Sequence, residues 1–131
     1  MGGAGRSRAD RQQGRRRDEA RGRLAEDVAA WWLRLKGYRI VGRRVRTPVG
    51  EVDLVAMRGR CLVFVEVKYR PTLAQAAEAA ARGRMARVRR AAGVLAARYG
   101  RLANSVRIDA VLVAPWRLPR HLCAVAGEDG L

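Results

Sequence analysis

With 131 residues and 49% apolar side chains, the chain is long enough to bury one core and too short for two full domains. Its 28 Lys and Arg against 12 Asp and Glu give a formal charge of +16, a field that favours a polyanionic partner, nucleic acid ahead of an anionic membrane face. An apolar run of about 18 residues that could span a bilayer is missing, no apolar leader region is found near the N-terminus, and Cys61 and Cys123 offer neither a disulfide framework nor metal-ligand spacing, so a reducing, cytoplasmic setting is expected.

Residues 1–23 hold eight arginines, three acids and five glycines with almost no large apolar side chain, so they are expected to form a disordered basic arm, with the folded domain over residues 24–131. From Leu24 to Lys36 the spacing predicts a first helix whose stripe Leu24, Val28, Trp31 and Leu35 faces the core, with Gly37 in the C′ position. Ala29, Ala30, Trp32 and Leu33 imply cover on a second side, and Glu26 falls near Ala29, Ala30 and Leu33. Trp31 and Trp32 could stack on bases, but an apolar helix argues for core.

Three strands follow in "YRIVGRRVR", "EVDLVAM" and "CLVFVEVKY", a meander rich in β-branched residues. Leu73 to Tyr99 reads as one long helix, weakened at Gly83, with Met85, Val88, Ala92, Leu95 and Tyr99 on one side and Arg87, Arg90 and Arg98 roughly opposite. "VRIDAVLVA" and "HLCAVAG" supply two later strands around a proline turn. The order α, β, β, β, α, β, β predicts an α/β fold with one mixed sheet flanked by helices.

The second hairpin concentrates acids that a chain this basic does not need for balance. A four-residue loop, Arg58 to Cys61, pairs Met57 with Leu62 and thereby sets Val55 opposite Phe64, Asp53 opposite Glu66 and Glu51 opposite Lys68, all on one face. The other face, Val52, Leu54, Ala56, Cys61, Val63, Val65 and Val67, is apolar and is expected to pack on the first helix. Two facing carboxylates repel unless a cation intervenes, and a hard divalent ion, Mg²⁺ or Mn²⁺, prefers such oxygen ligands together with substrate phosphate. The chemistry suited to that group is phosphodiester hydrolysis, with Asp53 and Glu66 as ligands, Lys68 as charge stabiliser or water-orienting group, and Glu26 as a further ligand. Ordinary cross-strand ion pairs on a wet face are the alternative reading of the same acids.

An acidic helix residue, an aspartate and a hairpin to "EVK" resemble the PD-(D/E)xK nuclease superfamily, with Asp53, Glu66 and Lys68 on the motif positions. Across residues 22 to 126 the blocks "AEDVAAWWLRLKGYRIVGRRVR", "GEVDLVA", "LVFVEVKYR", "RRAAGVLAARY" and "VRIDAVLV" resemble the bacterial YraN-type family. The resemblance implies a restriction-endonuclease-like αβββαβ core, similar to Holliday junction resolvases, and puts the family's helix glutamate on Glu26, its hairpin acids on Glu51 and Asp53, and a basic position on Arg70. The chain has Ala25 where the family usually has glycine, Arg43 and Arg44 where it reads Arg-Asn, and Arg84 in place of a common lysine; the two latter changes keep positive charge.

Arg43, Arg44, Arg70, Arg84, Arg87 and Arg90 are accordingly the candidate nucleic-acid contacts, with DNA ahead of RNA and a homodimer expected by analogy with junction-cutting enzymes. A binding module without catalysis, and association with structured RNA, are the other functions compatible with the pattern. His121 reads as incidental, and Asp109 as a partner of Arg107 or of a base on a neighbouring strand, with a support role at the site left open. Gly-rich phosphate loops, Ser/His/Asp sets and zinc spacing are missing from the sequence, which argues against nucleotide triphosphate use and acyl chemistry.

Overall fold

In a computed structural model, residues 7–82, 85–101 and 103–125 are described. Helix α1 spans Arg8–Leu35, followed by strands β1 (Arg39–Thr47), β2 (Gly50–Arg58) and β3 (Cys61–Tyr69), helices α2 (Leu73–Ala81) and α3 (Met85–Tyr99), and strands β4 (Ser105–Val113) and β5 (Arg120–Leu122). The five strands lie side by side in chain order. All neighbours are antiparallel except β3 and β4, which are parallel and joined by the α2–α3 crossover. The expected mixed sheet flanked by helices, containing the αβββαβ core, is the observed architecture.

The first helix begins at Arg8, sixteen residues before the expected Leu24. Ser7 caps it: its hydroxyl accepts from the Asp10 N–H at 3.1 Å, and the Asp10 carboxylate accepts from the Ser7 N–H at 3.3 Å. Residues 8–23, expected to be a disordered arm, are helical, because arginine, alanine and glutamine favour helix and the capping box satisfies its first turn even without a core to pack on. Residues 1–6 of the expected arm lie outside the described residues. At the other end Tyr38 N–H reaches the Leu33 carbonyl at 2.9 Å, Gly37 N–H reaches Arg34 at 3.0 Å, and Gly37 takes φ +92°, the left-handed C′ geometry expected of it.

The core has two layers, one on each side of the sheet. On one side Ala25, Ala29, Ala30 and Leu33 of α1 pack against Leu54, Ala56, Val63, Val65, Val111 and Val113. On the other, Val88, Ala91, Ala92 and Leu95 of α3 meet Val52, Val55, Met57, Leu62, Phe64 and Ile108, while Ala76 and Ala80 of α2 cover Ala110 and Leu112. Most of the stripe expected to face the core is therefore outside: Leu24, Trp31 and Leu35 are 63%, 55% and 62% exposed, and only Val28 of that stripe packs, half-buried, against the core. Alanines explain the rotation, since they let the helix backbone approach a sheet face already filled by valine and leucine, which the larger Leu24 stripe would hold off.

Between α2 and α3 the expected long helix is divided, with Arg82 as the C-cap of α2. The β2–β3 register is the expected one, Met57 opposite Leu62 and Val55 opposite Phe64, but Arg58 also pairs with Cys61, so the loop is the two residues Gly59 and Arg60, with Gly59 at φ +57°.

Candidate metal centre

The ladder between β2 and β3 stops at Leu54 and Val65. One rung further, where the sequence set Asp53 opposite Glu66, the strands part, and the Asp53 carboxylate takes over as hydrogen-bond acceptor: Val67 N–H donates to its Oδ2 at 2.8 Å. In the neighbouring β1–β2 ladder the register shifts earlier, between Ile40 and Gly42, and is unshifted from Arg43 to Thr47, but the backbone is unusual at the Asp53 level. Arg43 pairs with Leu54 and Val45 with Val52, yet Arg44, which lies between, adopts φ +49°. That left-handed turn breaks the alternation of both strands, so Val45 and Val52 face α3 while Arg43 and Arg44 both reach α1. Val52, expected on the side of the first helix, lies on the α3 side for this reason.

Asp53 lines a cleft of roughly 600 Å³ together with Arg21, Ala25, Glu26, Val67, Tyr69 and Arg70. Glu66 and Lys68 lie in register with Ala110 and Leu112, which α2 covers, so they approach the strand gap from the other face of the sheet, and the expected single face shared by Asp53, Glu66 and Lys68 is not formed because the pairing that would align them ends one rung earlier. Lys68 Nζ holds Glu66 Oε1 at 2.6 Å, and its side chain borders an adjoining recess under α2 that shares Arg70 with the cleft. Glu66 Oε2 has no partner and is, among the described residues, the only buried side-chain nitrogen or oxygen in that condition. Such an atom is costly unless something positive completes it.

The electrostatics agree with the geometry. Burial pushes the Asp53 carboxyl up to about 6; the Val67 N–H opposes the rise, the Glu26 and Glu66 carboxylates add to it, and Lys68 pulls it back. Glu26, from the first turn of α1 that meets the sheet, is nearly buried and accepts from Arg44 Nε at 2.6 Å. That bond, set against partial desolvation, holds the Arg44 guanidinium above its ordinary value. Asp27 beside it binds Arg43. Glu51 does not reach Lys68 but pairs with Arg46 at 3.2 Å on the exposed strand end.

The candidate nucleic-acid contacts are thus divided. Arg43 and Arg44 are engaged with α1 acids, Arg70 borders the cleft, and Arg90 is exposed on α3. Arg84 and the Arg87 side chain lie outside the described residues.

A second polar group was largely missed by the sequence reading. Asp109 is fully buried and pairs with Arg107, one of its two expected partners, through two bonds of 2.8 Å each, and it also accepts from Ala124 N–H at 3.0 Å and faces His121 Nε2 at 2.6 Å. Burial alone would raise its pKa, but His121, Arg107 and the Ala124 N–H together hold it below the usual carboxylate range. The Arg107 guanidinium is raised in turn, first by Asp109, and also donates to Tyr38 Oη. His121 is therefore not incidental: Lys36 Nζ stands 2.5 Å from its Nδ1 and the Tyr38 ring meets it edge-on. Asp109, His121 and Cys123 have ligand-type atoms within 4.8 Å of one another, but Lys36 and Arg107 already supply positive charge there, so the group ties β4, β5 and the end of α1 together as an ion-paired lock. No sequence period marks it, because its members come from three separate segments.

Residues 25–113 match the family described as "Uncharacterised protein family UPF0102". The chain belongs to the UPF0102 family. It is 58% identical over 107 residues to the UPF0102 protein of Sphingopyxis alaskensis, covering 82% of this chain and 92% of that one. The corresponding protein of Rhizorhabdus wittichii is 56% identical over 107 residues, 82% and 91% of the two chains, and that of Paramagnetospirillum magneticum 51% over 109 residues, 79% and 84%. The span matched to UPF0102 contains Glu26, Asp53, Glu66 and Lys68, and it leaves out the first four turns of α1 as well as His121 and Cys123. Among the described residues of this UPF0102 protein no helix is long and apolar enough to cross a membrane, and both cysteines are free.

Proposed function

We propose that this chain is a cytoplasmic nucleic-acid-binding protein that hydrolyses phosphodiester bonds in DNA, branched DNA foremost, with Asp53 and Glu66 holding Mg²⁺ or Mn²⁺ and Glu26 as a further ligand. The observation that carries the reading is the buried, unpartnered Glu66 Oε2, on a carboxylate near enough to Asp53 for its charge to act on it. An all-oxygen donor set with excess negative charge suits a hard divalent cation. When bound, such an ion supplies charge neutralisation at a phosphoryl group and a more acidic water.

The chain's own residues do the rest. The Val67 N–H fixes the Asp53 carboxylate, and Lys68, oriented by Glu66, offers its ammonium to charge developing on the scissile phosphate or to a water. Arg70, between the cleft and the recess under α2, provides a phosphate contact at the mouth. By analogy with junction-cutting enzymes the working unit is a homodimer.

A second reading has an observation in its favour. Glu26 is ion-paired to Arg44 and Glu66 to Lys68, and the three acids do not converge within 4.8 Å as the Asp109 group does, an arrangement that suits a binding module without catalysis, DNA or RNA being its ligand. The two are separated by incubating junction, flap, duplex and single-stranded substrates with the full chain in magnesium, manganese or EDTA, beside Asp53→Ala and Glu66→Ala. Cleavage that needs the metal and both acids supports the enzyme. Salt-sensitive binding without cleavage supports the module, and a preference for RNA identifies its ligand.

A further inference from the structure

Helix α1 runs well past the domain it belongs to. Its packed part starts at Ala25, and the sixteen residues before Leu24 continue as an almost wholly exposed helix about 24 Å long. Eighteen residues make five full turns of α-helix, so positions eighteen apart share one azimuth. On that count Arg8 continues the line of Glu26, Arg11 that of Ala29 and Arg15 that of Leu33. The buried face of Ala25, Ala29, Ala30 and Leu33 thus continues as Ser7, Arg11, Gln12 and Arg15, and the line of Glu26 as Arg8, a polar face with three arginines where the helix runs beyond the cleft.

Position and charge agree with that change. Arg21 and Gly22, the last turn of the overhang, line the same cleft as Glu26 and Asp53. Arg8, Arg11 and Arg15 are exposed beyond them. We infer that this face of the α1 overhang is a phosphate-binding arm that follows the backbone of a nucleic acid out of the cleft, an extension that lies before the residues matched to the family, which start at Ala25. The inference rests on the reading that nucleic acid occupies the cleft. A membrane surface fits less well, since the overhang carries only Ala9 and Ala20 as apolar side chains and a helix lying in a bilayer interface needs an apolar face.

The test uses the full chain and its Arg8→Gln/Arg11→Gln/Arg15→Gln form, with Arg34→Gln/Arg39→Gln/Arg120→Gln as a charge-matched control, in EDTA so that binding is read without cleavage. Glutamine keeps helix propensity, and circular dichroism confirms equal helicity. Loss of three phosphate contacts lowers the slope of log affinity against log salt by about 2.7, so between 50 and 200 mM salt the arm variant loses about 40-fold less affinity than the parent. The parent also gains affinity as a duplex is lengthened by roughly seven base pairs, the span of the overhang, and the arm variant does not.

An unchanged slope and length dependence in the arm variant, with the parent binding normally, overturns the arm and leaves the cleft reading standing. Equal losses in arm variant and control also overturn it, since net charge would then be the cause. A parent that binds no nucleic acid at any salt removes the cleft reading and the arm together, and arm-dependent capture of phosphatidylserine vesicles without any effect on nucleic acid assigns the surface to membranes instead.

Discussion

Asp53→Asn is the most informative single change. Asparagine keeps an oxygen for the Val67 N–H, removes the charge and puts an amide NH2 in place of the other oxygen. Burial between the Glu26 and Glu66 carboxylates holds the Asp53 pKa up to about 6 from 3.8, so between those values the folded state binds more protons than the unfolded chain and stability falls as pH rises. At 1.36 kcal/mol per pKa unit the full cost of ionising Asp53 in place is about 3 kcal/mol above pH 6, and it is mostly absent at pH 4. The advantage of Asp53→Asn over the parent should therefore widen by about 2 kcal/mol between pH 4 and pH 8, roughly 1 M in urea midpoint at a typical denaturant slope. Urea titrations followed by tryptophan fluorescence at four pH values measure it. Parallel stability curves for parent and variant, or a variant that loses ground at high pH, would refute the claim that this carboxylate is strained by its neighbours.

Three further predictions concern the frame around it. Arg44→Ala keeps the left-handed backbone and loses the Glu26 bond, whereas Arg44→Gly loses the bond but relaxes the backbone, so thermal melts should place the glycine form about 1 kcal/mol above the alanine form; the reverse order would mean φ +49° carries no strain. Asp109→Asn should cost about 3 kcal/mol at pH 7 by uncoupling Arg107 and His121. Because the folded pKa of Asp109 is depressed, its contribution is present above the unfolded value and is lost as pH falls, the opposite trend to Asp53; a gap that stays constant into acid contradicts it. Leu33→Ala should cost about 2–5 kcal/mol while Leu35→Ser stays within about 0.5 kcal/mol, and equal costs would contradict the burial of the Leu33 face of α1.

Period-2 alternation made the hairpin legible: "VDLVAM" and "CLVFVEV" admit few registers that bury both sets of valines, and the register inferred from them is the observed one. The same rule failed at Arg44 and Asp53, where a left-handed residue reverses the alternation and the ladder opens, an event no side-chain pattern announces. Helix α1 was misread in phase because hydrophobicity ranks leucine and tryptophan above alanine, whereas close helix-on-sheet packing selects the small side chains. Its N-terminal half was misread because poverty in apolar residues argues against burial, not against a capped helix. His121 escaped notice because its partners, Asp109 twelve residues before it and Lys36 eighty-five, meet only once the sheet is complete.

Calorimetric titration of Mn²⁺ into the full chain at pH 7.5 probes the strand gap most directly. One site that disappears in Glu66→Gln, which keeps an oxygen for Lys68, and weakens in Asp53→Asn is the predicted result. Heat that is unchanged by either substitution, or no heat from the parent at millimolar metal, would contradict it.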